Sequence, residues 1–382
     1  MAPEPSLLAE EFRRFAGQDP DGLWFGPGRV NLIGEHTDYN EGFVLPFAIE
    51  QRAVVAAARR DDGRLVLRSL EVDGDVDLSL DGLRPGGDAG WSAYLAGVHW
   101  ALSRAGHDVG GATMVLSSDV PLGAGLSSSA AIECAAMAAL VDLYGLDVAA
   151  LDRAKLAQVA ENAYVGAPTG ILDQAASTLC KEGHGLFMDC RTLETRDVPL
   201  PLADHGLEIL VLDTRTPHSH VDGEYGSRRA ACEEAARLLG APALRDVTDP
   251  AAALQQLDDP LLRKRVRHVV TENQRVLEAV AVARNGELER LGPLLDASHA
   301  SMRDDYEITV PTVDLAVDVA REEGALGARM TGGGFGGCII ALAPSGAGDP
   351  MGRRIAEAFA IRGHAEPRWF VASPSAGAGR LA

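Results

Sequence analysis

The chain of 382 residues predicts an α+β protein built as two domains, and three observations carry that expectation. Its length exceeds what one hydrophobic core ordinarily serves. In the first half, strand-like runs come first and helical runs later, without the strict alternation of a parallel α/β sheet. Near the middle, Gly185 to Met188 ends one strand and Leu207 to Leu212 begins another, with Asp189 to Pro201 between them. The boundary is placed there, giving domains 1–190 and 191–382.

Taken in order, Met1 to Gly17 mixes acids, arginines and apolar residues as an amphipathic helix does. Leu23 to Phe25, Gly42 to Ile49, Ala53 to Ala58, Leu65 to Ser69 and Val76 to Leu80 read as strands, with Asp61-Asp62-Gly63 as a hairpin turn. A loop at Pro85 to Gly90 precedes a helix from Trp91 to Ala105, a buried strand from Ala112 to Ser118, and helices at Ile132–Leu143 and Val148–Ala163. The second half predicts helices at Asp222–Leu239, Pro260–Val282, Glu287–Ser301, Thr312–Gly324 and Gly352–Ile361, and strands at Cys338–Ala343 and Trp369–Ala372. Pro374 to Ala382 is expected to fray.

A hydrophobic fraction of 46% with 24% charged residues is ordinary for a soluble folded chain. The formal net charge of −20 argues against nucleic acid or an anionic membrane as partner, and a nucleotide site would need its positive potential supplied locally. Five scattered cysteines without a Cys-x-x-Cys pair speak against a metal cluster or disulfide framework and for a reducing compartment. No apolar run reaches the roughly 20 residues of a membrane span, and the N-terminus lacks the apolar core of a signal peptide. The expectation is a cytoplasmic protein, a monomer rather than a fixed oligomer.

One stretch organises the chain: Pro121-Leu122-Gly123-Ala124-Gly125-Leu126-Ser127-Ser128-Ser129, between an apolar strand and a helix. Its glycines permit a tight turn, its serines are expected to cap the helix, and the helix N-terminus offers free N–H groups to a phosphate. With only Lys155, Lys181 and Lys264 in the chain, this is not a Gly-Lys-Ser/Thr loop. It resembles the phosphate loop of the GHMP kinases, Pro-x-x-x-Gly-Leu-Ser-Ser-Ser. A second stretch, Gly28-Arg29-Val30-Asn31-Leu32-Ile33-Gly34-Glu35-His36-Thr37-Asp38-Tyr39-Asn40-Glu41-Gly42, concentrates groups suited to hold paired sugar hydroxyls. It resembles the signature of the galactokinases within that family. Ala160-Glu161-Asn162, Gly170-Ile171-Leu172-Asp173-Gln174, Glu224-Tyr225 with Arg228-Arg229, Thr271-Glu272-Asn273-Gln274-Arg275, Ser298-His299 with Arg303-Asp304-Asp305-Tyr306, and Arg329 to Cys338 are similar to galactokinase segments in the same order. Ala167-Pro168-Thr169 departs from the pattern.

The resemblance implies a two-domain GHMP kinase fold with the active site in the cleft between domains. It implies phosphorylation of α-D-galactose by ATP with Mg²⁺ to give α-D-galactose 1-phosphate, the first step of galactose catabolism. Asp173 would face the attacking hydroxyl and Arg29 would hold it ionised. Glu35, His36, Thr37, Asp38, Gly170, Asp173 and Tyr225 would meet the sugar. Gly123, Ala124, Gly125, Leu126, Ser127, Ser128 and Ser129 would cradle phosphate, Ser69 would reach the adenosine, and Ser129 with Glu161 would hold Mg²⁺. The Gly332–Gly337 loop reads as a turn packed on the phosphate loop, and His218 and His220 as loop residues rather than a metal pair. A kinase for a related sugar such as N-acetylgalactosamine, and a sensor that binds galactose and ATP without turnover, stay open at this point.

Overall fold

Residues 54, 56 and 58 alternate with 53, 55 and 57 along one long strand, and both sets are buried, because this strand lies between two helical layers. Val54, Ala56 and Ala58 meet Leu8 and Phe12 of the helix Pro5–Ala16. Ala53, Val55 and Ala57 share a core with Ala131 and Ala135 of the helix Ser128–Leu143. That second helix is buried on nearly every side and runs close to the sheet: a Cβ on Gly26 would lie 2.2 Å from the Ala131 carbonyl oxygen. Its run of alanines is what so close an approach requires.

The computed structural model describes residues 4–87, 90–216 and 221–381, without the side chains of residues 221, 222 and 225. Among the described residues the strands are β1 (Gly22–Asn31), β2 (Phe43–Val44), β3 (Pro46–Arg60), β4 (Arg64–Ser69), β5 (Val76–Ser79), β6 (Gly111–Ser118), β7 (His184–Asp189), β8 (Thr195–Pro199), β9 (Leu207–Asp213), β10 (Gly327–Thr331), β11 (Cys338–Pro344), β12 (Arg368–Ala372) and β13 (Gly379–Arg380). They form a six-stranded sheet in the order β13-β1-β3-β6-β4-β5, a four-stranded sheet β10-β11-β9-β12 and a three-stranded sheet β2-β7-β8. All pairings are antiparallel except β4 with β6. The largest apolar core takes in Val55 and Ala135 from the first half of the chain and Ile209, Val276 and Ile340 from the second. The α+β layout is that expected, in the GHMP kinase fold identified below.

Some local expectations need correction. The strands foreseen at Gly42–Ile49 and Ala53–Ala58 are largely one, β3, because the half-buried Gln51 and Arg52 continue the extended backbone. The helices Leu172–Leu179 and Pro250–Gln256 and the strands β8 and β10 lie in stretches read as connections. The chain end does not fray: β13 pairs with β1, Ser375 bridges Ala48, and Leu381 N–H donates to Leu23 O, so backbone pairing holds it to the first sheet. The helix foreseen to Ala163 is α-helical over Ala150–Val159 and becomes π-helical over Ala160–Val165, the wider turn that carries Glu161.

Candidate active site

Arg29 owes its position to an irregularity in the sheet. The register between β1 and β3 shifts between Pro27 and Arg29, which turns the Arg29 side chain away from the regular pleat. The guanidinium is nearly fully buried; its Nε donates to Asp173 Oδ1 at 2.8 Å, its Nη2 lies 2.7 Å from the same oxygen, and its Nη1 donates to Gly125 O at 2.5 Å. One cation thus ties the aspartate to the phosphate loop. Asp173 sits in the first turn of the helix Leu172–Leu179, and its other oxygen, Oδ2, accepts from Ser127 Oγ at 2.5 Å.

That last contact corrects the expected helix cap. Ser127 occupies the N-cap position of Ser128–Leu143 with φ +59°, and no side chain caps this helix. The left-handed backbone sends the hydroxyl to Asp173 instead, leaving the first N–H groups of a 16-residue helix open to an anion. Gly123 and Gly125 hold positive φ angles of 68° and 77° that make the preceding turn. The third glycine loop packs on it as expected: a Cβ on Gly332 would lie 2.8 Å from the Gly125 carbonyl oxygen.

These groups open onto a cavity of about 650 Å³ whose lining includes Arg29, Glu35, His36, Asp38, Gly123, Gly125, Ser127, Ser128, Ser129, Gly170, Asp173 and Gly332 to Gly334. Asp38 and Gly170 interlock there, since a Cβ on Gly170 would fall 1.7 Å from Asp38 Oδ2. Burial, reinforced by the Asp173 and Glu35 charges, lifts the Asp38 carboxyl to about 6. Glu35 is committed to the protein: it accepts from Asn31 Nδ2 and from Gly332 N–H (2.8 Å), and Arg329 stands 3.2 Å from Oε1. His36 Nε2 faces the Gly333 carbonyl at 3.1 Å and so carries the proton, while Nδ1 accepts from the Tyr39 hydroxyl at 2.7 Å. Burial holds its pKa down at about 3, so the ring is neutral.

Several expected contacts fall elsewhere. Thr37 is fully buried and donates to Gly34 O and Phe43 O, so it shapes the loop from inside. Ala124 and Leu126 pack into the core, and Leu126 offers its carbonyl to Arg29 N–H. Ser69 does not line the cavity; it ends β4 and hydrogen-bonds to Glu71. The Tyr225 side chain, and His218 and His220, lie outside the described residues. Glu161 is buried within hydrogen-bond reach of Ser129, and these two hard oxygen donors suit Mg²⁺, which keeps water and phosphate in its shell. No group of three or more His, Cys, Asp or Glu side chains among the described residues forms a metal cage.

The sugar loop is held by residues to which sequence reading assigned no role, although Glu272 and Asn273 lie in the galactokinase-like segment Thr271 to Arg275. Glu272 Oε1 accepts from Gly34 N–H at 3.0 Å, Asn273 Oδ1 accepts from Phe43 N–H at 2.8 Å, and His268 Nε2 reaches Glu35 O at 3.1 Å, all from the helix Pro260–Arg284. Arg275 and Arg329 outweigh burial and bring Glu272 down to about 2, so it is an ionised anchor.

Residues 93–181 match the N-terminal domain and residues 276–361 the C-terminal domain of the GHMP kinases. A mevalonate kinase structure from Methanococcus jannaschii shares the fold at a TM-score of 0.68 and 17% identity, over 93% of this chain and 98% of that one. The narrower likeness is closer. Residues 10–59 match the galactokinase galactose-binding signature. A galactokinase of Streptomyces coelicolor is 53% identical over 378 residues, 98% of each chain, and one of Mycobacterium tuberculosis H37Rv is 46% identical over 342 residues, 89% of this chain and 94% of that one. The crystal structure of Lactococcus lactis galactokinase complexed with galactose superposes with a TM-score of 0.94 at 34% identity, covering 98% of this chain and 99% of that one. The fold and the phosphate loop define a GHMP kinase. Within that class, the chain belongs to the galactokinase family.

Proposed function

We propose that this sugar kinase transfers the γ-phosphoryl group of ATP, as its Mg²⁺ complex, to the anomeric hydroxyl of α-D-galactose. The observation that carries the reading is the convergence on Asp173: Arg29 holds one oxygen, Ser127 the other, and both partners belong to or touch the phosphate loop. Asp38 and Gly170 share the same cavity. The sugar hydroxyl takes the place of Ser127 at Asp173 Oδ2, so the oxygen to be phosphorylated lies beside the open end of the helix. Asp173 accepts the hydroxyl proton. It is a weak base for an alcohol, so the proton moves late and Asp173 serves chiefly to orient the nucleophile. Arg29 keeps the aspartate in place and offsets charge as the phosphoryl group moves. Ser129 and Glu161 would hold Mg²⁺, which supplies neutralisation of the phosphate oxygens when bound. Asp38, ionised, accepts from sugar hydroxyls. Among the described residues no helix is long and apolar enough to cross a membrane, and the five cysteines are all unpaired, which supports the cytoplasm as the compartment.

ADP release measured across a panel of sugars tests the reading. Galactose is expected to be turned over fastest, with phosphate on the anomeric oxygen. Preference for N-acetylgalactosamine would reassign the substrate, and binding of galactose without turnover of any hexose would make the chain a sensor.

A further inference from the structure

Beside the phosphate site lies a buried polar chain to which the mechanism gives no role. Glu133, in the helix Ser128–Leu143, and Gln174, next to Asp173 in Leu172–Leu179, are both fully buried. Gln174 Nε2 donates to Glu133 Oε2 at 3.0 Å and to Glu161 Oε2 at 2.6 Å, so both amide hydrogens are committed to carboxylates from two different elements. Thr169 Oγ1 donates to the same Glu161 oxygen at 2.9 Å. Thr169 is itself pinned to the π-helical turn, donating through its N–H to Asn162 Oδ1 at 2.9 Å and accepting at its carbonyl from Asn162 Nδ2 at 3.0 Å. Gln174 and Thr169, whose hydroxyl also lies 3.1 Å from Asn162 Oδ1, both address Glu161 Oε2, so Oε1 is the oxygen turned, with Ser129 in reach of the carboxyl, toward a cation.

We propose that Gln174, anchored by Glu133 and assisted by Thr169, is a positioning residue that fixes which oxygen of Glu161 faces the metal ion. The proposal rests on the reading of Glu161 as a Mg²⁺ ligand. Because Gln174 follows Asp173 in one helical turn, the carboxylate that meets the sugar and the amide that sets the metal ligand form one rigid unit. Thr169 belongs to the short segment Ala167-Pro168-Thr169, in which this chain departs from the galactokinase pattern.

The test is Mn²⁺ titrated into the full chain with ADP present, the free ion followed by electron paramagnetic resonance. Partners that orient a metal ligand are worth about 10–100-fold in affinity, and Gln174→Met is expected to lose roughly that much. Galactose binding without nucleotide, read by calorimetry, should stay as in the parent. Glu133→Leu is expected to weaken Mn²⁺ in the same way, and Glu133→Gln, which keeps an acceptor for the Gln174 amide, to restore it. Thr169→Val, on a half-buried loop, should give a smaller loss; together with the Glu133 pair it decides the matter if Gln174→Met does not fold. Parental Mn²⁺ affinity in Gln174→Met, or in both Thr169→Val and Glu133→Leu, overturns the positioning role provided that Glu161→Ala loses the ion. Parental affinity in Glu161→Ala as well overturns the ligand assignment beneath it.

Discussion

The sugar loop and the phosphate loop meet at Arg29, yet they are held in opposite ways. The sugar loop, Gly34 to Phe43, is clasped by side chains from far along the chain: Glu272, Asn273 and His268 on its backbone, Arg329 on Glu35. The phosphate loop is held by backbone, through positive-φ glycines, a close approach to Gly332 and the Gly125 carbonyl on Arg29, and it leaves Leu122 exposed. The difference follows from the ligands. A phosphate is recognised by N–H groups that every residue carries, so a correct backbone path is enough. A sugar is told from its isomers by the direction of its hydroxyls, and buried polar groups discriminate only when their own positions are fixed.

The largest expected effect breaks the clasp. Arg329 is buried against Glu35, with one Nη donating to Leu32 O at 2.8 Å. Arg329→Met leaves the Glu35 carboxyl buried without its cation and is expected to destabilise the chain by about 3–5 kcal/mol. Urea denaturation measures this; a loss below about 0.5 kcal/mol, as at an ordinary surface site, would mean that the sugar loop does not depend on the distant clasp.

Next comes the junction of the two loops. Asp173→Asn keeps the shape but loses the charge that Arg29 and Ser127 address. A fall in kcat on the order of 10² or more is expected, with galactose binding nearly intact. Near-parental turnover in a stopped assay of ADP release would remove Asp173 from its role.

The phosphate loop was legible in the sequence because its determinants are contiguous: glycines, serines and the start of a helix within nine residues. Arg29, Glu35, His36 and Asp38 were legible as a cluster for the same reason, since they lie within one short stretch and line one cavity. Their support was not, since Arg329 and Glu35 are 294 apart in number and the Glu272 contact joins positions 238 apart, separations at which no local spacing exists. Ser127 was misread as a cap because its aim depends on one left-handed φ, which no residue type announces for a serine. The chain end was misread because a Gly- and Ala-rich tail carries no apolar alternation, and its hold on β1 combines backbone pairing with the Arg380 guanidinium 5.2 Å over the Trp24 ring and Leu381 packed beside Leu23 and Phe25.

Two glycines sharpen the comparison by separating the ligands. Gly170→Ala drives a methyl into the Asp38 carboxylate, and Gly332→Ala drives one into the Gly125 carbonyl at a φ of +91°. The first is expected to raise KM for galactose roughly five- to hundredfold, the range for leaving a buried polar partner misplaced, with KM for ATP little changed. The second is expected to raise KM for ATP more than that for galactose. Steady-state kinetics on both substrates checks the pair, and equal losses in either variant would mean that the two loops are not separable.

The smallest effect is a pH dependence that belongs to the sugar side alone. Asp38 is ringed by Asp173 and Glu35, with Arg29 opposing them, and burial with the two carboxylates brings it to about 6. On the proposed reading, sugar hydroxyls donate to the ionised form, so galactose affinity should be level well above that value and fall as pH drops through it, approaching about tenfold per unit. The free chain's stability moves the other way. A raised carboxyl pKa means that the folded chain holds this proton more tightly than the unfolded one, so Asp38 contributes more stability as pH falls from 6 toward the ordinary aspartate value and loses it as pH rises. Asp38→Asn, neutral throughout, should bind galactose more weakly but with the slope below pH 6 gone. Calorimetry of galactose binding from pH 5 to pH 8 in both proteins decides it: a slope that survives the substitution assigns the titration to another group in the cavity.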